Sequence, residues 1–180
     1  MLNGGSSSIS AWYESLIAAF GVAIGRVRGT AGDTHTKADF VSFLEELFGS
    51  TPPATRWKVV CDNRNTHLST GVARLVSGLC GITEDLGEKC NSGVRQSIAT
   101  REAFLRVVGH RITFHFMHKH APWINQIEIW FSLLMRKLLR RGSSSPKEHL
   151  QHQIDGFTTY FNGTMAKRFR WTMKEKPLTA

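Results

Sequence analysis

The chain has 180 residues, 41% of them hydrophobic, which suits one domain with a buried core. Its 23 Lys and Arg residues against 14 Asp and Glu give a formal net charge of +9, which favours a polyanionic partner such as nucleic acid, although a basic protein without one is the alternative. No apolar run approaches the roughly 18 residues of a membrane span, and three cysteines without CxxC spacing argue against a disulfide scaffold or zinc site and suit the cytoplasm.

Hydrophobic periodicity predicts strands and helices that alternate along the chain, and therefore an α/β fold. The predicted elements of the first half are strands at 16–20 and 22–27 joined by a turn at Gly21, a helix at 37–48, a strand at 57–61 and a helix capped by Ser69 or Thr70. Those of the second half are a short helix after Thr100, a strand at 111–117, a helix at 123–141 and a helix from Ser145-Pro146 to Asn162-Gly163. We expect residues 1–11 to be disordered, 12–165 to form a partial domain, and 166–180 to be a basic tail.

Asp62 ends the strand predicted at 57–61. A carboxylate at the carboxyl end of a central strand projects into the crevice where α/β sheets bind ligands. Asn63 and His67 follow in the loop before the next helix, where they could bond a phosphate or orient the carboxylate. The alternative is that Asp-Asn after a strand is ordinary turn chemistry.

Glu128 lies in the helix predicted at 123–141, on a narrow polar line with Asn125 and Ser132 beside the apolar face. No Lys or Arg stands three or four residues away, so an ion pair within the helix cannot explain it. Beside apolar neighbours a carboxylate loses hydration, and a divalent metal would compensate for that loss. The alternative is a glutamate at the solvent edge of an amphipathic helix.

Together, Asp62 and Glu128 supply the hard oxygen ligands that Mg²⁺ or Mn²⁺ prefers. Two such ions, about 4 Å apart, can activate an attacking oxygen and stabilise a leaving one. The pair therefore predicts a two-metal phosphoryl-transfer site, although two carboxylates so placed also arise by chance.

Two blocks of sequence carry a family resemblance. Residues 57–67, WKVVCDNRNTH, resemble the strand and DN-x-x-TH motif of mariner-like bacterial insertion-sequence transposases, and residues 118–131, HKHAPWINQIEIWF, resemble that family's PKHxxWLNQxExWF block. The similarity runs from about Leu16 to the end of the chain. It implies an RNase H-like mixed sheet flanked by helices, a DDE/D site holding Mg²⁺ or Mn²⁺, and enzymes that cut DNA at transposon ends and join it to target DNA.

Within that resemblance Asp62 would be the second acidic metal ligand and Glu128 the third, with Asn63, His67 and Asn125 supporting the site. The family's first acidic residue lies on a first strand ahead of the hairpin, and no aspartate precedes Asp33 here. We therefore expect a chain truncated at its N-terminus, with its first strand missing and with little activity alone. The alternatives are a non-enzymatic DNA-binding remnant, which could form a homodimer or pair with a complete transposase, and an unrelated RNase H-like nuclease complete in itself.

Basic side chains cluster in and after the Glu128 helix and in the C-terminal tail. Contact with DNA phosphates is predicted for Arg136, Lys137, Arg140, Arg141, Lys147, Lys167, Arg168 and Arg170. The alternative is a solvated helix face whose charges favour the helix C-terminus. The aromatic residues Trp123, Trp130 and Phe131 are predicted to be core rather than stacking platforms for bases, and Cys61 to be a buried small hydrophobe.

Overall fold

The structure, a computed structural model, describes residues 15–32, 34, 36–62, 65–117, 126–139 and 147–168. Its elements are β1 (Ser15–Gly21), β2 (Arg26–Gly32), α1 (Lys37–Gly49), β3 (Trp57–Asp62), α2 (Thr70–Cys80), α3 (Ile98–Leu105), β4 (Ile112–Met117), α4 (Gln126–Leu134) and α5 (Lys147–Thr164). A 3-10 turn, Gly93–Arg95, precedes α3, and a π-helical turn, Met135–Leu139, follows α4. The predicted α/β class is therefore confirmed.

The hairpin of β1 and β2 is antiparallel, with Gly21 opposite Arg26 at the turn. A hairpin was predicted here, but the bounds 22–27 for its second strand are wrong, because that strand begins at Arg26. Residues 22–25 instead form the turn, which ends at Gly25 with φ +71°. Glycine is needed there for its backbone angle, and also because a Cβ would overlap the backbone of Lys167.

The strands β3 and β4 form a parallel pair, in which Asp62 lies opposite Met117. Among the described residues, both strand directions of the predicted mixed sheet occur, divided between one antiparallel and one parallel two-stranded sheet. Because β3 and β4 run in the same direction, their carboxyl ends lie at one edge. Asp62 is at that edge, as predicted.

Local side-chain bonds set where the helices begin and end. The Ser69 hydroxyl accepts a bond from the third residue of α2, and Gly81 ends that helix with φ +67°, as the sequence predicted. The helix α3 begins at Ile98, before the predicted start after Thr100. Ser97 is its N-cap, and Thr100 is the third helical residue of a reciprocal capping box rather than a residue outside the helix.

The two faces of β1 contact two different hydrophobic cores, so the strands form a layer between helices. Ile17 and Ala19 belong to the first core, which α1, α2, β3 and β4 complete with residues such as Leu44, Val76 and Phe114. Leu16, Ala18 and Phe20 contact the second core, formed by Val27, Trp130, Leu134, Ile154, Phe157 and Phe161. Period-two alternation in β1 therefore holds α1 and α2 on one side and α4 and α5 on the other.

The last two helices differ in part from the prediction. The helix predicted at 123–141 is described only from Gln126 to Leu139, and its last turn is π-helical. The predicted cap at Ser145-Pro146 lies outside the described residues. The helix α5 continues past Asn162 to Thr164, because the Asn162 side chain bonds to the backbone of Val27 in β2 instead of closing the helix. No helix in the described part of the chain is long and apolar enough to cross a membrane.

Candidate active site

Asp62 reaches the edge of the sheet because of the alternation along β3. Trp57, Val59 and Cys61 pack against the first core, so alternate residues point to the other face. Asp62 is on that other face, together with Lys58 and Val60, and its side chain is 42% exposed. Its Oδ1 is buried against His67, so a ligand can meet only the part of the carboxylate that is exposed.

His67 lies against Asp62 from the loop that leads into α2. Its Nδ1 is 2.7 Å from Oδ1 of Asp62 and 2.9 Å from the backbone oxygen of the same residue. Because both neighbours are acceptors, Nδ1 carries the proton and donates it. The other side of the ring contacts Phe40 of α1, with 4.5 Å between ring centroids. His67 thus connects the Asp62 carboxylate to a helix in the core.

Glu128 is in the first turn of α4, and its side chain is exposed. The argument that apolar neighbours strip this carboxylate of water is therefore wrong, because Ile127, Phe131 and Leu134 pack in the second core and leave Glu128 at the helix edge. A carboxylate in a first helical turn is favoured by the helix dipole. Ser132, on the same polar line, donates its hydroxyl to the backbone oxygen of Glu128 at 2.9 Å.

A single cavity of about 460 Å³ brings these residues together. It lies between β1 and β3, with α1 on one side and α4 on the other, and both Asp62 and Glu128 line it. His67 and Lys58 line it too. Lys58 was missed in the sequence, although its even spacing from Asp62 in a strand places both on one face.

The ligand chemistry of this cavity fits a hard divalent cation, because carboxylate oxygens are what Mg²⁺ and Mn²⁺ bind. Two carboxylates leave other coordination positions for water and substrate phosphate, which is the usual manner of Mg²⁺. Within the described ranges, no group of three or more His, Cys, Asp or Glu side chains is placed to hold an ion. Asp62 and Glu128 are the two acidic side chains among the described residues that line the cavity.

Cys61 precedes Asp62 and packs against the first core. Burial, and after it the charge of the Asp62 carboxylate, raises the pKa of the Cys61 thiol to about 12. The thiol therefore stays protonated near neutral pH. Cys61 was predicted to be a buried small hydrophobe, and in the structure it is partly buried against the first core.

The structure describes some of the other predicted residues and leaves others outside the described ranges. Trp130 is 1% exposed and lies in the second core, which confirms its prediction as core. Of the eight basic residues predicted to contact DNA, four have side chains that the structure describes. All four are exposed: Arg136, Lys137, Lys167 and Arg168. For Lys147 only the backbone, at the start of α5, is described. Asn63, Trp123, Asn125, Arg140, Arg141 and Arg170 lie outside the described residues.

Residues 12–151 match the family model of the DDE superfamily endonucleases. The match covers more than half of the chain, and together with the α/β fold it supports a transposase-like nuclease function. The chain belongs to the DDE superfamily endonuclease family. Members of this family generally use divalent metal ions and act on DNA. No curated protein and no solved structure matches the chain.

Proposed function

We propose that this domain cleaves DNA strands by phosphoryl transfer at the cavity between β1 and β3, weakly when the chain is alone, with Asp62 and Glu128 as two of the ligands of Mg²⁺ or Mn²⁺. The observation that carries the proposal is that these two carboxylates, far apart in sequence, line the same cavity in a DDE superfamily endonuclease domain. When bound, the ions supply Lewis acidity that activates an oxygen nucleophile and offsets charge on the phosphate. The motif resemblance further supports cutting at transposon ends and joining to target DNA, as in mariner-like bacterial insertion-sequence transposases.

The protein's own residues have distinct parts in this proposal. His67 holds the Asp62 carboxylate in one orientation through its Nδ1 proton. Lys58, which lines the same cavity, meets the negative charge of the phosphate that is cleaved. Asn63 and Asn125 support the site, by their positions in the motifs.

The proposed DNA-binding surface begins where α4 ends. Arg136 and Lys137 are exposed on the π-helical turn, on the helix that carries Glu128, and the Arg136 Nε donates to the backbone oxygen of Ser132 at 3.2 Å. Lys167 and Arg168 are exposed after α5, beside the hairpin turn. The same surface is proposed to include Arg140, Arg141, Lys147 and Arg170.

The proposed cleavage is tested by nicking of supercoiled plasmid in Mn²⁺ or Mg²⁺, with EDTA as the blank. Asp62→Asn and Glu128→Gln each remove a metal ligand and should abolish nicking, because both carboxylates are needed. Glu45→Gln is the matched control, since Glu45 is exposed on α1 and lines neither this cavity nor its edge. Nicking that survives in both site variants would overturn the proposal. Salt-dependent DNA binding without nicking by the unaltered chain would favour the non-enzymatic DNA-binding alternative.

The proposed DNA-binding surface has its own test. For duplex DNA, log affinity falls linearly with log salt concentration, and each lost phosphate contact makes this slope less steep by about 0.9. The double variant Arg136→Gln/Lys137→Gln should therefore bind more weakly, with a shallower slope. Arg74→Gln, exposed on α2, is the control and should leave the slope unchanged. An equal slope in the double variant and the unaltered chain would exclude this surface.

A further inference from the structure

A second open cavity, of about 450 Å³, lies on the far side of α1 from the candidate active site. Its cationic lining comes from three separate segments: Lys37 at the start of α1, Lys89 in the loop after α2, and Arg101 in α3. The residues of α1 that line it, such as Ala38 and Val41, are on the helix face opposite to those that line the first cavity. We call this second cavity the basic cavity.

Nothing in the described lining of the basic cavity neutralises these cations. No Asp or Glu is among its described lining residues. Three convergent positive charges therefore favour an anion in this cavity.

The position of Arg101 is fixed before any ligand arrives. Its Nε donates to the backbone oxygen of Leu68 at 2.6 Å, and its Nη1 donates to that of Arg95 at 3.2 Å. A guanidinium held in this way loses little freedom when it binds an anion, and its planar donors suit the oxygens of a phosphate.

The start of α2 closes another side of the basic cavity. Thr70 and Gly71 line it at the first two helical positions, where backbone N–H groups have no acceptor within the helix. A Cβ at Gly71 would lie 2.9 Å from Cγ2 of Val41, so glycine allows α1 and α2 to approach closely here. These N–H groups add to the cationic side chains and do not replace them in the argument.

We propose that the basic cavity binds a backbone phosphate of the DNA strand that enters the candidate active site; the proposal rests on the proposed function. The two cavities lie on opposite faces of α1. A phosphate held in the basic cavity would fix the register of the strand at the site of cleavage.

The first test uses variants that spare the structural role of Arg101. Lys37 and Lys89 are exposed, so Lys37→Gln/Lys89→Gln should fold normally. With a random-sequence duplex, loss of one phosphate contact should lower the slope of log affinity against log salt by about 0.9 and weaken binding equally for different sequences. The double variant Arg56→Gln/Arg74→Gln removes the same number of positive charges from exposed residues that line neither cavity, so it is the matched control and should keep the slope. An unchanged slope in the double variant, or no DNA binding by the unaltered chain, overturns the proposal.

The second test separates DNA phosphate from free phosphate. Inorganic phosphate should shift the Gly71 amide signal of the unaltered chain in an NMR titration, should not do so in Lys37→Gln/Lys89→Gln, and should be displaced by duplex DNA. A phosphate shift that DNA does not displace means a free-phosphate site and overturns the proposal. A lower slope in the double variant, when the unaltered chain does not nick DNA, would contradict the proposed function but retain this contact. Nicking that requires Asp62, together with an unchanged slope, would contradict the contact alone.

Discussion

His67 and Asp62 are joined twice: Nδ1 of the imidazole is 2.7 Å from the carboxylate Oδ1 and 2.9 Å from the backbone oxygen of the same aspartate. A single ring proton shared between these two acceptors links His67 to both the main chain and the side chain of the last residue of β3. Since the ring also contacts Phe40, the orientation of the carboxylate depends on the packing of α1. Partners of metal ligands commonly act in this manner, by orienting the ligand rather than by touching the ion.

We predict that His67→Phe lowers the nicking rate about ten- to a hundred-fold and raises the Mn²⁺ concentration needed for half-maximal rate. Phenylalanine keeps the ring contact with Phe40 but has no proton to donate, so the Asp62 carboxylate loses its orientation. The measurement is nicking rate against Mn²⁺ concentration.

His67→Gln is the control for this experiment, because its amide can still donate to Asp62 and should restore part of the rate. If His67→Phe nicked DNA with the same rate and the same Mn²⁺ dependence as the unaltered chain, His67 would have no positioning role. An unaltered rate in His67→Phe, together with a loss of rate and of stability in His67→Gln, would indicate that packing on Phe40 is what matters.

Cys61 should resist alkylation in the folded protein. The rise of its pKa to about 12 leaves a thiolate fraction on the order of one in ten thousand at pH 8, and the thiolate is the reactive form. We expect iodoacetamide to modify the exposed Cys90 first and Cys61 only after unfolding in urea. Reactivity of Cys61 should rise with pH toward 12, because the raised pKa delays its ionisation. Peptide mass spectrometry after timed alkylation measures the order, and early labelling of Cys61 at pH 8 would contradict the burial.

Glu128 and Trp130 lie two residues apart in α4, and their substitution should change the free energy of unfolding by very different amounts. Trp130→Ala empties a site in the second core and should cost about 3–5 kcal/mol of unfolding free energy. Glu128→Gln changes an exposed side chain and should alter that free energy by about 0.5 kcal/mol at most. Urea unfolding measures both. A large loss of stability in Glu128→Gln would mean that the carboxylate has a structural role.

The position of Asp62 followed from a local signal, a β-branched run that ends at an acidic residue, and the structure places it at the end of β3. The role of Glu128 as a metal ligand stays a prediction from its motif, while the physical reason given for it, loss of hydration beside apolar neighbours, is wrong because its side chain is exposed. Whether a residue at the edge of a helix is buried depends on what packs beside it, and α4 leaves this edge open.

The basic cavity could not be predicted in this way. Lys37, Lys89 and Arg101 share no spacing, and each alone is an ordinary surface charge in a basic chain. They converge because α1, α2 and α3 pack together, which no local pattern encodes. The start of the second hairpin strand was predicted wrongly for a related reason. Val22 fits a strand by propensity, but the turn continues to Gly25, which lies against Lys167 from a distant part of the chain.

Asn162 should be important for stability. Its Oδ1 accepts from the Val27 N–H and its Nδ2 donates to the Val27 oxygen, both at 2.8 Å, which joins α5 to β2. Asn162→Ala leaves the two backbone groups without these partners beside the buried Val27 side chain and should cost about 1–3 kcal/mol. Asn162→Asp keeps only the acceptor and should not restore the loss. Asn91→Ala, which removes an exposed bond to Glu88, is the control and should change urea stability little.

Two glycines of one helix should respond to alanine with opposite signs. A Cβ at either Gly78 or Gly81 would meet nothing within 4 Å, so only the backbone distinguishes them. Gly78 is inside α2, where alanine should stabilise the protein by about 0.5–1 kcal/mol. Gly81 has φ +67°, where a Cβ costs about 1–2 kcal/mol, so alanine should destabilise it. Urea unfolding of the two variants gives the comparison directly, and a shift of the same sign in both would contradict a left-handed end of α2.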